Sequence, residues 1–325
     1  MSIRWRCQRA PDLPGYAAYD VDIASSELPC GASWAGSVLL ELGVPLWHPW
    51  GADSAAEWLA QVDGSHQYQR ADEGWTRLLP GLRHGREFRF RARPVPRLGH
   101  HWPGMYPPLP AILVVRDPRD ALYSAWRREL ARGALAADID FLAFLSLPFR
   151  HWPISWAACL ALHTAAWCRQ IAASGGWLLR FEDFKADPLA LARQLAAALD
   201  LAVDEPALLR AVAASEHREV AQAEQRLLAR GSVPTRLLAG GQVEEWRSRF
   251  DAAAHAALPA WLWQVHAPLG YRALDPGTDA PPPSLRGLDA CLPRSACDAL
   301  AGASDLLATP VPPSLAALPC ATARA

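Results

Sequence analysis

Along the chain, short apolar runs stop abruptly at charged or small residues and give way to helical periodicity. The segment YDVDIA (19–24) is a strand candidate, SSELPCGASW turns, and AGSVLLELG (35–43) reads as a helix closed by a glycine. The run AILVV (111–115) is wholly apolar, the pattern of a central parallel strand covered on both faces. Arg116–Asp120 ends it, and ALYSAWRREL continues as a helix. Residues 156–174 predict another helix, broken by Gly175 and Gly176, and WLLRF (177–181) a third strand. A helix follows from Pro188, with Asp187 as its cap, and helical text resumes over 205–230 and 242–264. Strand, loop and helix in repeated order predict an α/β fold: a central parallel sheet flanked by helices.

The remaining stretches are less regular. Residues 45–80 are rich in tryptophan and glycine and predict irregular loops. The segment EFRFRAR (87–93) alternates like a strand and sits in a basic stretch, 77–97. It reads either as a solvated edge strand whose arginines resist pairing or as an anion-attracting wall. Beyond Asp275 the text turns to proline and alanine, with no aromatic residue after Tyr271. The expected organisation is one domain over 1–275 and a weakly packed or partly disordered tail over 276–325.

Composition narrows the function. The 325 residues are 51% hydrophobic, which excludes global disorder, and carry 32 Lys+Arg against 33 Asp+Glu, which argues against a dedicated nucleic-acid binder. The seven cysteines have no zinc spacing and their number is odd, so free thiols in a reducing compartment are expected, and no metal site. Lys185 is the only lysine and asparagine is absent, the mark of a GC-rich, bacterial coding bias. No apolar run reaches the ~18 residues of a membrane helix, and the start has no signal-peptide core, so a soluble cytoplasmic protein is expected. The 15 tryptophans serve either ordinary packing or an aromatic-rich pocket for a bulky acceptor.

Two places have the chemistry of an anion clamp. Gly31, Ala32 and Ser33 stand where a helix begins, so their backbone N–H groups and the Ser33 hydroxyl can cradle a phosphate. Arg116 stands at the carboxyl end of the central strand, where open α/β sheets bind ligands. Its fork matches phosphate oxygens, and Ser124 follows it on the next helix as a hydroxyl partner.

Taken in order, several segments resemble the soluble sulfotransferases that use 3′-phosphoadenosine 5′-phosphosulfate (PAPS). The run VVRDPRDALYS (114–124) is similar to that family's 3′-phosphate segment, which places Arg116 and Ser124 on its phosphate-binding pair. LRFEDFKADP (179–188) is similar to its Tyr-Glu-Asp strand end, LPCGASW (28–34) resembles its 5′-phosphosulfate loop, and GGQVEEW (240–246) resembles its late glycine loop more weakly. The resemblance spans residues 20–272 and implies a P-loop-like nucleotide-binding fold. It implies donor contacts from Cys30, Gly31, Ala32, Ser33, Trp34 and Ser215, with Trp34 stacking on adenine. Phe181 falls on the family's tyrosine near the base, and Gly240 and Gly241 on its late loop, with Arg236 as the substitute cation there. RLGHHWP (97–103) resembles the stretch bearing the catalytic histidine, which places His101 as general base and His100 as the adjacent alternative.

This chain departs from the pattern at two cations. Pro29 stands in the loop and Gly99 before the histidines where the family has basic side chains, and Arg97 is the first candidate to supply the charge, ahead of Arg93 and Arg91. The implied function is transfer of the sulfuryl group from PAPS to a hydroxyl of a small or medium natural-product acceptor. That acceptor is aromatic, lipidic or peptide-like, and adenosine 3′,5′-bisphosphate is the other product. The alternative is a non-catalytic relative that binds a nucleotide or a protein partner. A small-molecule kinase would need the G-x-x-x-x-G-K-[ST] pattern, which is absent. Partners on membranes or nucleic acids are not implied, and oligomeric state is not readable.

Overall fold

A computed structural model describes residues 20–44, 94, 96–150, 152–229, 241–274, 277–288, 292 and 294–308. In chain order the elements are β1 (Val21–Ala24), α1 (Ala32–Glu41), β2 (Pro96–Gly99), β3 (Ala111–Val115), α2 (Pro118–Ala131), α3 (Phe141–Ser146), α4 (Trp156–Ser174), β4 (Gly176–Arg180), α5 (Phe181–Ala186), α6 (Pro188–Ala198), α7 (Glu205–Ala214), α8 (His217–Ala229), α9 (Trp246–Arg249), α10 (Ala252–Ala256), α11 (Ala260–His266) and α12 (Arg294–Ala308). They fall into two compact units, each assembled from separated stretches. The first holds Met1–Ile23, Gly31–Gly99 and Asp183–Leu238; the second holds Ala24–Cys30, His100–Glu182 and Ala239–Ala325.

In the second unit β3 and β4 pair in parallel, in register from Ala111 with Gly176 to Val115 with Arg180. All five residues of β3 are buried, as its unbroken apolar run requires. Gly176 makes the pairing possible at its first step. Its φ is 151°, and a Cβ there would lie 2.0 Å from the Ala111 carbonyl oxygen. The crossover helix α4 packs on both strands. Ser155 caps it by accepting from the Ala158 N–H at 3.2 Å, and Gly175 ends it. Its first thirteen residues, Trp156–Cys168, are all buried, so it is a core helix rather than an amphipathic surface one. The expected fold class, a parallel sheet flanked by helices, is the one observed.

The expected tail contains structure. α12 packs on α4 and α11, and Leu292, Ala296 and Leu300 are buried in the same core as Leu160, Leu162 and Trp167. Ala296 and Leu300, four apart on α12, share one helical face.

In the first unit β1 lies beside β2, and all four residues of each are buried. α1 packs on α6 and α7. Asp187 and Asp204 cap the latter two, each accepting from the N–H three residues on at 2.8 Å. The irregular segment 45–80 and the basic strand 87–93, with Arg91 and Arg93, lie outside the described residues. Among the described residues, no helix is long and apolar enough to cross a membrane.

Candidate functional site

The carboxyl end of β3 delivers Arg116 into a buried setting in the second unit, with 2% of the residue exposed. Its guanidinium is held from three directions. Nη1 donates to the Pro29 carbonyl at 2.9 Å and to Ser124 Oγ at 3.1 Å, and Nη2 donates to the Gln242 carbonyl at 2.7 Å. The plane lies over the Phe181 ring, 4.5 Å from its centroid. Arg116 and Ser124, paired in the sequence reading, are thus in contact, and Arg116 touches the 28–34 loop at Pro29. The Arg116 Nε N–H, also buried, has no hydrogen-bond partner among the described residues.

That orphan has a meaning in this chain. Arg119 turns its Nε and Nη2 to Asp117, at 2.9 and 2.6 Å, and Arg97 turns the same edge to Asp22, at 2.5 and 2.7 Å. Two buried arginines therefore present the Nε/Nη2 edge of the fork to a carboxylate. On Arg116 the Nη2 half of that edge is on the Gln242 carbonyl and the Nε N–H has no partner among the described residues, so one donor on that edge is left for an acceptor oxygen.

The surrounding frame is rigidly hydrogen-bonded. Asp117 caps α2, accepting from the Arg119 N–H at 2.9 Å, and the Arg119 guanidinium lies 3.6 Å from the Trp246 ring centroid. Glu182, in the first turn of α5, accepts from the Asp117 N–H at 2.9 Å and from the Tyr271 hydroxyl at 2.6 Å. Burial raises the Glu182 carboxyl above its ordinary range, against the lowering effect of those bonds, and pushes the Tyr271 hydroxyl well up. Asp120 accepts from the Glu244 and Trp246 N–H groups at 2.7 and 3.1 Å. Burial pushes its carboxyl up to about 6, opposed by Arg116 and by those bonds.

The two histidines belong to this unit. His100 Nδ1 lies 3.2 Å from Ser25 Oγ and 3.1 Å from the Ser25 carbonyl, and burial lowers its pKa. His101 is 6% exposed, with Tyr106 and Trp167 edge-on to its ring at 5.2 Å. Its carbonyl accepts from Trp167 Nε1 at 3.2 Å and lies 3.1 Å from His163 Nε2. Cys30 Sγ is 3.3 Å from Ser26 Oγ. Burial pushes the thiol up to about 11, so Cys30 is a neutral backbone position rather than a nucleophile.

Within the first unit, Gly31 stands at the N-cap of α1 with φ 98°, a left-handed conformation that suits glycine. No side chain caps this terminus and its first turn has no acid, so it keeps the positive end of the helix dipole. Ala32 is buried and Ser33 exposed. Trp34 stacks on Phe184 with centroids 4.8 Å apart. Ser215, 1% exposed at the end of α7, has an Oγ without a partner among the described residues.

Arg97 is different from expectation in its surroundings. It is 2% exposed and its fork closes on the fully buried Asp22 across β1 and β2. In this arrangement its guanidinium charge is answered by the Asp22 carboxylate. Gly241 is described, with φ 62°. Arg236 and Gly240 lie outside the described residues. Among the described residues, no group of three or more His, Cys, Asp and Glu is placed to hold a metal.

Sequence reasoning missed Asp120 and Gln242 as parts of the Arg116 setting. Asp120 was visible within RDPRD but had no assigned partner. Gln242 acts through its carbonyl, which leaves no trace in residue type.

No protein-family model matches the chain, and no curated protein matches it. Among solved structures, it is similar to retinol dehydratase in complex with androsterone and the inactive cofactor PAP, at 15% identity over 74% of this chain and 79% of that one, with a TM-score of 0.47. It is also similar to a mouse sulfotransferase complexed with PAP, at 17% identity over 72% and 80%, with a TM-score of 0.48.

Proposed function

We propose that the protein is a PAPS-dependent sulfotransferase acting on a hydroxyl of a small or medium, aromatic, lipidic or peptide-like acceptor. The observation that carries the reading is Arg116, a buried guanidinium with no carboxylate bonded to it, whose Nε N–H has no partner among the described residues while Ser124 and two carbonyls fix its plane. Arg116 and Ser124 would take the 3′-phosphate. The α1 terminus at Cys30–Trp34 would take the 5′-phosphosulfate end, and Trp34, Phe181 and Ser215 the base, with Arg236, Gly240 and Gly241 as the late loop. The acceptor oxygen attacks sulfur and forms the new S–O bond. The bond from sulfur to the nucleotide phosphate oxygen breaks, and the hydroxyl proton passes to His101, or to His100 if that ring faces the acceptor. The products are a sulfate ester and adenosine 3′,5′-bisphosphate.

Titration of adenosine 3′,5′-bisphosphate into the full chain tests the donor site. Arg116→Ala is expected to weaken binding by about 2 kcal/mol or more, the worth of charge-assisted bonds to phosphate; unchanged affinity rejects it. Turnover of labelled PAPS over a panel of phenols and alcohols tests the reaction. A second reading, a non-catalytic nucleotide binder, draws on Pro29 in place of a cation and on the commitment of Arg97 to Asp22. Tight bisphosphate binding with no turnover on any acceptor would favour it.

A further inference from the structure

We infer that Asp120 is a positioning residue: by tying the Gln242–Trp246 segment to α2, it sets the Gln242 carbonyl on Arg116 and so fixes the plane of the anion clamp. The inference rests on the reading of Arg116 as the 3′-phosphate site. One carboxylate takes two backbone N–H groups of this segment, Glu244 through Oδ2 at 2.7 Å and Trp246 through Oδ1 at 3.1 Å. Two residues upstream of the first tether, the Gln242 carbonyl accepts from Arg116 Nη2 at 2.7 Å.

The tethered backbone is strained. Glu244 has φ 57°, a left-handed conformation that a non-glycine residue keeps only where its surroundings over-determine it. The Asp120 bond to its N–H is one such restraint, and the Glu244–Arg247 ion pair at 2.7 Å is another. Asp120 is 1% exposed, so its two bonds are not traded for water. An anion meeting Arg116 needs the guanidinium already oriented, because reorienting it on binding costs affinity. Pro29 and Ser124 hold Nη1; the Asp120 tether, with the Arg127–Glu245 ion pair at 2.7 Å beside it, holds the segment whose carbonyl Nη2 meets.

The groups around the carboxylate are Arg116 at the end of β3, Asp117 at the N-cap of α2, and the backbone N–H groups of Glu244 and Trp246. Arg119, Arg180, Glu182, Arg247 and Arg272 line the same cavity of about 350 Å³. Because burial pushes the carboxyl up to about 6, the ionised, doubly accepting form holds at pH 8 and is lost towards pH 5.

Calorimetric titration of adenosine 3′,5′-bisphosphate into the full chain tests this. Asp120→Asn keeps the shape but turns one acceptor into an NH₂ group, which can no longer accept its amide. Removing a negative charge beside Arg116 would by itself tighten anion binding, so a loss can come only from misplacement. The variant is expected to bind about tenfold more weakly at pH 8, as loss of a charge-assisted bond predicts, and the gap should narrow by pH 5.5. The ligand's own titration is common to both proteins and cancels in the ratio. Asp120→Glu keeps the charge, moves the tether, and is expected to weaken binding similarly, which covers an unfolded asparagine variant. Unchanged or tighter binding in either folded variant at pH 8, or a gap that does not change with pH, overturns the inference. Failure of the wild type to bind the bisphosphate rejects the reading of Arg116 instead.

Discussion

The Arg97–Asp22 pair allows a demanding test, because one perturbation asks whether a cation serves the fold or the chemistry. Asp22 is fully buried, Arg97 is 2% exposed, and two short bonds join them. Removing one partner leaves the other charge buried without the two bonds of the pair. Such losses cost about 3–5 kcal/mol, whereas replacing both partners by apolar residues of similar volume is often neutral or better. Arg97→Met alone and Asp22→Leu alone should therefore each lose about 3–5 kcal/mol, and the double variant should recover most of it. Urea unfolding followed by tryptophan fluorescence reads all four corners of the cycle. Single variants costing under about 1 kcal/mol, or losses that simply add, would refute a buried pair. Turnover completes the test: if Arg97 is structural, the folded double variant keeps its activity; if Arg97 stabilises the leaving phosphate, it loses activity while remaining stable.

Other outcomes follow from groups already placed. His101→Ala should cut turnover at least a hundredfold and leave the calorimetric affinity for adenosine 3′,5′-bisphosphate within a factor of two or so, as a general base to the acceptor requires. Ser155→Ala should cost about 1 kcal/mol in urea unfolding, since it strips the N-cap of the core helix α4. Burial depresses His163 to about 3 and His266 to about 4. The unfolded chain therefore binds protons that the folded one does not, between the ordinary histidine value near 6.5 and those values. Stability contributed this way is present above about pH 6.5 and lost as pH falls through 6.5 towards 4; His163→Gln should flatten that slope in unfolding midpoints measured from pH 7 to 4. Among the cysteines described, Cys297 should alkylate first, because Cys30 and Cys168 are buried with thiols pushed up to about 11 and 12. Residue-resolved mass spectrometry after iodoacetamide checks the order.

Legibility in the sequence followed how local each cause was. β3 was readable because five apolar residues in a row have no other comfortable place than a covered strand, and α4 because Gly175 and Gly176 break it. Arg116 and Ser124 were readable as a pair because a strand end and the next helix fix their spacing. What Arg97 does was not readable. Its fate depends on Asp22, 75 residues earlier, and alternation along a strand gives the direction of a side chain without naming its partner. The packing of α12 was hidden for a related reason. Alanine and leucine at spacing four carry little signal unless the facing helix is known, and proline on either side suggested a tail. The backbone carbonyls of Pro29 and Gln242 mark the limit of the method, since any residue could have supplied them.

The second unit is stitched from three stretches, and its core includes Leu292, Ala296 and Leu300. A ribosome therefore delivers β3, α4 and β4 long before it delivers the helix that covers α4. During that interval the apolar flank of α4 is bare, and the first stretch, Ala24–Cys30, waits for partners that have not yet been made. Closure of this core is thus a late event in synthesis, with pairings over long sequence separations that are slow to form and prone to misassociation meanwhile. A chain released at residue 290 should carry every residue of the Arg116 setting and still be a client of chaperones.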